Sequence, residues 1–168
     1  MILNIFLLLF VILLLSSVVR GAPFVPTHGA RVERMIELSE LKSGEKGADL
    51  GSGDGRIVIA MAKAGAIAHG YEINPFLVWW SRWKIRRAGL ADRAFIHLGS
   101  FWGKNLSEFD VVTVFGTKHI MKSLEKKLKT ELRPKARVIS YVFAFPSWGY
   151  VYKESAIFVY KTGTNLIA

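Results

Sequence analysis

The sequence has no cysteine among its 168 residues, so disulfide bonds, thiolate metal sites and a cysteine nucleophile are all excluded. Histidines are also few, and they do not show the spacing of a ligand pair such as His-x-x-x-His, so no metal site is predicted (His28, His69, His97, His119). Acidic residues number 13 against 23 lysines and arginines, which gives a formal net charge of +10. Such a charge favours anionic partners.

Basic residues gather in two predicted helices, one around residues 82–87 and one within residues 118–137. The simplest interpretation is that these are solvated helix faces. The second interpretation is that these helices are attracted to anionic lipid headgroups, which contributes about 1 kcal/mol of binding free energy for each cation near a membrane surface. Nucleic acid is not expected as a partner, because the sequence has neither a recognised nucleic-acid-binding module nor a long basic arm.

The first twenty residues differ in composition from the rest of the chain. Residues 2–19 are apolar except for one asparagine and two serines, and as a helix they would be about 27 Å long, close to the hydrocarbon thickness of a bilayer. We therefore predict a transmembrane anchor at residues 1–20 and a linker at residues 21–29, which contains two prolines. Residues 30–168 are then one folded domain.

A cleaved signal peptide is the alternative for the apolar segment. No Lys or Arg precedes the apolar run, which disfavours a signal peptide, although small residues near Gly21 and Ala22 keep that alternative open. Three arginines follow the run (Arg20, Arg31, Arg34). By the positive-inside bias, we predict a single-pass membrane protein with its folded domain on the cytoplasmic side, or on the matrix side in an organelle.

Three glycines at alternate positions separate a short predicted strand at residues 47–50 from a helix that begins at Arg56 (Gly51, Gly53, Gly55). They allow the backbone to turn tightly and to approach a ligand closely, which a Cβ atom would obstruct. In an α/β sheet, this junction of strand and helix is where a nucleotide-like cofactor binds. The sequence therefore predicts a cofactor site at this turn.

The charges around the turn indicate which cofactor binds. A dinucleotide fingerprint leaves the helix N-terminus free for a pyrophosphate, but here Arg56 stands where its last Gly or Ala should be. Asp49 and Asp54 would repel a pyrophosphate, whereas they suit the ammonium and sulfonium groups of S-adenosylmethionine. Glu72 follows Gly55 by seventeen residues, at the predicted end of the next strand, where it can accept hydrogen bonds from ribose hydroxyls.

Strands and helices alternate along the domain, which predicts a mostly parallel α/β sheet with an antiparallel C-terminal hairpin. The predicted strands are residues 47–50, a strand ending at Glu72, and residues 94–98, 111–115, 137–145, 150–153 and 156–161.

The helix that Asn74 and Pro75 open after the second strand is rich in aromatic residues. Phe76, Trp80 and Trp83 are predicted to lie in the core. Trp79 is predicted to be more exposed, and stacking of these rings on bases or lipid is the alternative interpretation.

With these residues, the chain resembles the class I, seven-β-strand methyltransferases. More narrowly, it resembles the membrane-anchored protein lysine methyltransferases that modify the mitochondrial adenine nucleotide translocase and ATP synthase c-subunit, together with their prokaryotic relatives. The segments that carry the resemblance are residues 24–27, 49–56, 70–75 with 77–78 after them, and 145–148. The resemblance implies a Rossmann-like sheet, S-adenosylmethionine as the cofactor, and transfer of its methyl group to lysine side chains of a membrane-associated protein.

The resemblance also implies roles for individual residues. It implies that six residues in and around the glycine turn line the methionine part of the cofactor (Asp49, Gly51, Ser52, Gly53, Asp54, Gly55). Glu72 would bind the ribose, and Asn74 would support that loop. After the third strand the family usually has an acid that accepts from the adenine amino group, but this chain has Ser100 and Phe101 there. Ser100 has no charge, so we expect weaker binding of the adenine end or a backbone carbonyl in place of the acid.

The methyl acceptor is expected to enter near the rim of the same edge. Candidate substrate-pocket residues lie before the domain and after the fourth and fifth strands (Thr27, Phe115, Thr117, Phe145, Pro146, Trp148). The aromatic ones could stack on the cationic lysine, and ordinary core packing is the alternative for them. The turn at residues 115–118 differs from the more apolar turn of the family, which leaves the substrate range open.

No catalytic base is predicted for the reaction. A lysine amine is activated if an apolar or cation-rich pocket lowers its pKa, and alignment with the methyl donor supplies much of the remaining catalysis. The short connections between strands indicate an open site suited to a protruding side chain. A methyltransferase for a lipid, quinone or other small apolar acceptor is the alternative function, and an inactive cofactor-binding module is the third.

Overall fold

The structure, a computed structural model, describes residues 27–164, so the predicted anchor and most of the predicted linker lie outside the described residues. Between residues 27 and 164, no helix is both long enough and apolar enough to cross a bilayer.

Helices and strands alternate from the start of the described chain. The helices are α1 (Gly29–Leu38), α2 (Arg56–Lys63), α3 (Pro75–Arg87) and α4 (Lys118–Glu131), with a short 3-10 helix at Phe101–Gly103. The strands are β1 (Lys46–Leu50), β2 (Ile67–Glu72), β3 (Ala94–Leu98), β4 (Val111–Val114), β5 (Arg137–Tyr141), β6 (Tyr152–Glu154) and β7 (Ile157–Lys161).

These strands form one sheet in the order β3-β2-β1-β4-β5-β7-β6. Neighbouring strands are parallel, except that β7 runs antiparallel to both β5 and β6. β1 lies between β2 and β4, and its last residue, Leu50, is paired with Tyr71 and with Val114. The prediction of a mostly parallel α/β sheet with an antiparallel C-terminal hairpin is therefore confirmed.

The fifth strand is shorter than predicted. It ends at Tyr141 because Val142 has a left-handed backbone, with φ of 73°, which an extended strand cannot contain. Phe145, the predicted end of the strand, lies in the following loop, where its N–H donates to the Tyr160 hydroxyl at 3.0 Å. The loop is thus held against β7.

Helices cover both faces of the sheet. The first three helices pack on one face, and their buried apolar side chains form one cluster with those of the strands (among them Val32, Met35, Ile57, Met61, Val78, Ile85). α4 packs on the other face together with the loops after β3 and β5 (among them Phe109, Met121, Leu124, Leu128, Phe145, Trp148).

The prediction that Phe76, Trp80 and Trp83 lie in the core is wrong. Phe76 is 64% exposed, and Trp80 and Trp83 are each 38% exposed. Trp79 is 59% exposed, as predicted for the most accessible of the three tryptophans.

The buried side of α3 consists of smaller residues, Val78, Ser81 and Ile85. The reason is the close approach of α3 to the glycine turn, since a Cβ atom on Gly55 would lie 2.8 Å from the Ser81 Cβ. An indole ring does not fit into that space, so the helix turns its aromatic side outwards.

Candidate active site

The glycine turn lies at the carboxyl end of β1, as predicted. Gly51, Gly53 and Gly55 all have left-handed backbones, with φ of 86°, 52° and 76°. Other residues adopt such angles only with strain. The N–H groups of Gly51 and Ser52 both donate to the Tyr71 carbonyl at 3.0 Å, so the turn is fixed directly to β2.

Glu72 joins the turn to the start of α3. Its carboxylate is buried and accepts from the Gly53 N–H at 2.9 Å and from the Asn74 N–H at 2.8 Å. The side chain of Asn74 in turn caps α3, because its Oδ1 accepts from the N–H groups of Phe76 and Leu77. The predicted ribose-binding acid is therefore held in place by two backbone donors.

Asp49 is buried at the centre of the same edge and is 2% exposed. Thr113, its neighbour on β4, donates its hydroxyl to the carboxylate at 2.7 Å. Burial, together with the nearby carboxylates of Glu72 and Asp54, raises the pKa of Asp49 to about 7, against the opposing effect of the Thr113 hydrogen bond. No Lys or Arg of the described chain forms an ion pair with it.

A buried carboxylate without a cation fits a positively charged ligand. An ammonium group placed beside Asp49 would favour the ionised carboxylate, because its positive charge would provide the stabilisation that water gives to an exposed carboxylate. Asp49, Glu72 and the open backbone of the glycine turn thus have the chemistry that S-adenosylmethionine requires. They can bind its ammonium and its ribose.

Asp54 has different surroundings. Its carboxylate accepts from Arg56 Nε at 2.8 Å and from Lys84 Nζ at 2.8 Å. Burial raises the pKa of Asp54, but these hydrogen bonds and charges outweigh burial and hold it at about 2. Arg56 also donates to the Thr27 carbonyl, so Asp54 links the glycine turn to α2, to α3 and to the segment that enters the domain.

The Ser52 hydroxyl lies against β2. It is buried and has no hydrogen-bond partner within residues 27–164. A Cβ atom on Gly70 would lie 2.6 Å from it, so only a glycine on β2 leaves room for this side chain. Ser52 therefore contributes to the packing of the turn on the sheet, and its predicted contact with the cofactor stays a prediction.

The adenine-side candidates begin the 3-10 helix. Ser100 Oγ accepts from the Trp102 N–H at 3.3 Å and so caps this helix. Phe101 is 8% exposed and packs into the cluster beneath α4, with its ring centroid 4.9 Å from that of Trp102. No acid follows β3 before Glu108, as the sequence shows.

Three of the substrate-pocket candidates lie on the same side of the sheet as the glycine turn, where the parallel strands have their carboxyl ends. Thr27 is buried and its carbonyl accepts from Arg56. Phe115 directly follows β4, is half-buried, and has its ring centroid 5.6 Å from that of Tyr141. Thr117 precedes α4, and its Oγ1 lies 3.0 Å from His119 Nδ1.

The other candidates lie in the loop after β5. Pro146 is exposed, but Phe145 and Trp148 are only 5% and 8% exposed. The Trp148 ring packs against Tyr160, with centroids 5.2 Å apart, and Lys129 Nζ lies 5.5 Å from its centroid. For Phe145 and Trp148 the structure thus shows core packing, which the sequence left as the alternative to a substrate contact.

Sequence reasoning missed the partners of the acidic residues. Thr113 could have been found as a hydroxyl residue within an otherwise apolar buried strand, Val-Val-Thr-Val. Tyr71 acts through its backbone carbonyl, which leaves no signal in the sequence. Lys84 lies thirty positions from Asp54, and the sequence offers no means of pairing them.

The ANTKMT methyltransferase domain matches residues 49–151 of this chain. The chain is 44% identical over 126 residues to the ATP synthase c-subunit lysine N-methyltransferase of Rattus norvegicus, a match that covers 75% of this chain and 58% of that protein. It is 37% identical over 134 residues to a protein-lysine N-methyltransferase of Saccharolobus islandicus (strain REY15A), covering 79% of this chain and 83% of that protein. The chain spans little more than half the length of its mammalian relatives.

The chain is also similar in both fold and sequence to a solved structure. It is described as an RNA methyltransferase from Salinibacter ruber in complex with S-adenosyl-L-homocysteine. The TM-score is 0.77 at 35% identity, and the match covers 82% of this chain and 92% of that one.

Proposed function

Because the chain belongs to the ANTKMT methyltransferase domain family, we propose that it uses S-adenosylmethionine to methylate lysine side chains of a membrane-associated protein. The proposal depends mainly on the arrangement of residues at the carboxyl ends of β1 and β2. There Asp49, a buried acid without a cationic partner in the described chain, lies on β1 directly before the glycine turn and beside β2, which ends at Glu72.

Each residue of this edge has a distinct part in the proposal. Asp49 binds the ammonium of the cofactor, and Glu72 accepts from its ribose hydroxyls through the lone pairs that Gly53 and Asn74 leave open. When bound, S-adenosylmethionine supplies a methyl group on a sulfonium. The acceptor lysine must reach this edge as a neutral amine, and Phe115 at the end of β4 provides an apolar surface for its stem.

The choice of a protein substrate is supported by two relatives that are described as lysine N-methyltransferases. The choice of a membrane-associated one is supported by residues 2–19, which we propose form a single-pass anchor. The arginines that follow this run favour a catalytic domain on the cytoplasmic side, or on the matrix side in an organelle.

The experiment that tests the reaction uses membranes from the source organism, the purified full chain and methyl-labelled S-adenosylmethionine. After incubation, the label is measured separately in protein, lipid and RNA, and labelled protein is hydrolysed to identify methylated lysine. We expect the label in lysine of membrane protein. Label confined to the organic phase would indicate a lipid or quinone acceptor, and label in RNA would indicate the activity described for the Salinibacter ruber protein.

Cofactor binding is tested separately by calorimetry on the Glu72→Gln variant. Loss of the charge-assisted hydrogen bonds to the ribose should weaken binding by about 2 kcal/mol, which is roughly 30-fold. The matched control is Glu108→Gln, an exposed carboxylate that pairs with Lys46. Equal affinities of the two variants would contradict the role of Glu72.

A further inference from the structure

The outer side of α3 carries four large aromatic residues that are well exposed, Phe76, Trp79, Trp80 and Trp83. Their rings form a continuous row: the centroids of Phe76 and Trp79 are 6.0 Å apart, those of Trp79 and Trp80 are 6.3 Å apart, and those of Trp80 and Trp83 are 5.0 Å apart. We name this row the aromatic stripe. Soluble proteins seldom expose a contiguous apolar surface of this kind unless it contacts a partner.

The helix that carries the aromatic stripe is basic. Residues 75–91 contain four arginines and lysines and no acid. Arg86 and Arg87 are exposed at its end, and the Arg87 guanidinium lies 5.0 Å from the centroid of the Trp83 ring. Lys84 points inwards to Asp54. The surface of α3 therefore combines large apolar rings with cations beside them, which complements the headgroup region of an anionic bilayer.

The position of the stripe in the fold also favours a bilayer. α3 lies in the same layer as α1, the first helix of the described chain. The two helices are near each other, because Lys84 of α3 lines a groove of about 470 Å³ that lies between α1 and α2. Residues 20–26, between the apolar run and Thr27, can span at most about 25 Å when fully extended. If the run is inserted in a bilayer, this layer of the domain is kept close to the membrane surface.

We propose that the aromatic stripe is a docking surface for an anionic bilayer, with its rings in the headgroup region and Arg86 and Arg87 on lipid phosphates. The proposal rests on the proposed function only in that it places the domain beside a membrane. Phe76 follows Glu72 by four residues, so docking through α3 holds the carboxyl edge of the sheet next to the bilayer surface. A lysine that protrudes only slightly from a membrane protein would then be within reach of the site.

The absence of cysteine permits a direct test with single labels on the full chain. Nitroxide is attached to Trp79→Cys in the stripe, to Lys122→Cys on the exposed side of α4, and to Leu9→Cys in the apolar run. Each variant is reconstituted in phosphatidylcholine vesicles with or without about 30% phosphatidylglycerol. The accessibility of the label to oxygen relative to a water-soluble nickel chelate is then measured by electron paramagnetic resonance.

We expect the oxygen-to-chelate ratio at position 79 to rise several-fold in the anionic vesicles and to fall again at high salt, because salt screens the attraction. Position 122 lies on the other face of the sheet and should remain in water. A water-like ratio at position 79 while position 9 is apolar would overturn the docking surface and leave the anchor intact. Thermal unfolding of the labelled Trp79→Cys protein checks that its fold is retained.

Other occupants of the stripe give different results, each of which overturns the proposal. A short distance between two nitroxides on one chain, at positions 9 and 79, at every protein concentration would show that the chain's own apolar run covers the stripe. Shielding that depends on protein concentration would show a second copy of the chain. Shielding that requires an added substrate protein or RNA would assign the surface to that partner. Methylation is not measured in this experiment, so its outcome is independent of the proposed reaction.

Discussion

Asp49 and Asp54 lie five positions apart in the sequence but differ in their electrostatic surroundings. Asp49 is in β1 with only the Thr113 hydroxyl beside it, and its pKa is raised to about 7. Asp54 is held by Arg56 and Lys84, and its pKa is lowered to about 2. Both were predicted from sequence to face the positive groups of the cofactor. The structure makes Asp49 the carboxylate whose charge is not already compensated within residues 27–164.

The raised pKa of Asp49 gives a testable dependence of stability on pH. In the unfolded chain the carboxyl has an ordinary pKa near 3.8, whereas in the folded chain it is about 7. The folded protein therefore holds a proton that the unfolded chain has lost between these values, so the free energy of unfolding should fall as pH rises from about 4 to about 7. This loss, on the order of 3 kcal/mol without cofactor, should be absent in Asp49→Asn, as measured by urea denaturation.

The control for this experiment is Asp92→Asn. Asp92 is exposed, and hydrogen bonding to Arg93 lowers its pKa instead of raising it. Its stability profile should keep the fall above pH 4 that the wild type shows. Parallel profiles for Asp49→Asn and the wild type would contradict the raised pKa.

Gly70 gives a second prediction for a single residue. A methyl group there would lie 2.6 Å from the Ser52 hydroxyl and 2.7 Å from Ile96 Cδ1. We expect Gly70→Ala to cost about 1 to 3 kcal/mol in the free energy of unfolding, since the glycine turn must move away from β2. Cofactor affinity should fall with it. Gly103→Ala, where no atom lies within 4 Å of the added Cβ, should change neither quantity measurably.

Among the elements, α3 shows both what the sequence predicts well and what it does not. Asn74 was predicted to open the helix and does so, because capping depends on a local hydrogen bond between neighbours in sequence. The buried side of the helix was predicted incorrectly, because apolar residues occur on more than one side of α3. Which side of α3 is buried depends on the close approach of Ser81 to Gly55, and these residues lie twenty-six positions apart in the sequence.

The cap of α3 can be tested with Asn74→Ala. Removing Oδ1 leaves the N–H groups of Phe76 and Leu77 without this acceptor, and the expected loss of stability is about 1 kcal/mol. Asn74→Ser should retain most of the stability, because serine is also a good capping residue. Thermal unfolding of the two variants provides the measurement, and equal melting temperatures for Ala and Ser would contradict the capping role.

For the molecule as a whole, the class of fold was predictable because alternating strands and helices determine it. The third strand was predicted with its observed bounds, Ala94–Leu98. The candidate site was predictable in its position, since glycines with left-handed backbones mark the turn at the end of β1. Contacts between distant segments were not predictable, and these include the bonds that hold Asp49 and Asp54.

One such contact joins α1 to the C-terminal hairpin. Arg34 donates two hydrogen bonds to Glu154 on β6, at 2.8 and 2.6 Å, across 120 positions of sequence. Both side chains are partly exposed, so the pair should contribute little to global stability. We expect Arg34→Ala to leave the melting temperature nearly unchanged and to speed amide hydrogen exchange at Tyr152–Glu154 several-fold.

Arg93→Ala is the matched control, because Arg93 is equally exposed but pairs with its neighbour Asp92. It should leave exchange in the hairpin at the wild-type rate. Faster exchange in β6 in both variants, or in neither, would show that Arg34 does not hold the hairpin.

The strand order also has a consequence for the synthesis of the chain. Among the described strands, β1 leaves the ribosome first, yet it lies inside the finished sheet, third of seven strands. β2 and β3 can add to one side of it at once, but its other edge waits for β4, which begins 61 residues after Leu50. At roughly 5 to 20 residues per second, translation leaves that edge unpaired for about 3 to 12 s. During this interval the nascent half-sheet presents an apolar strand edge of the kind that pairs with other chains, so it is the species that a chaperone on the ribosome would need to protect.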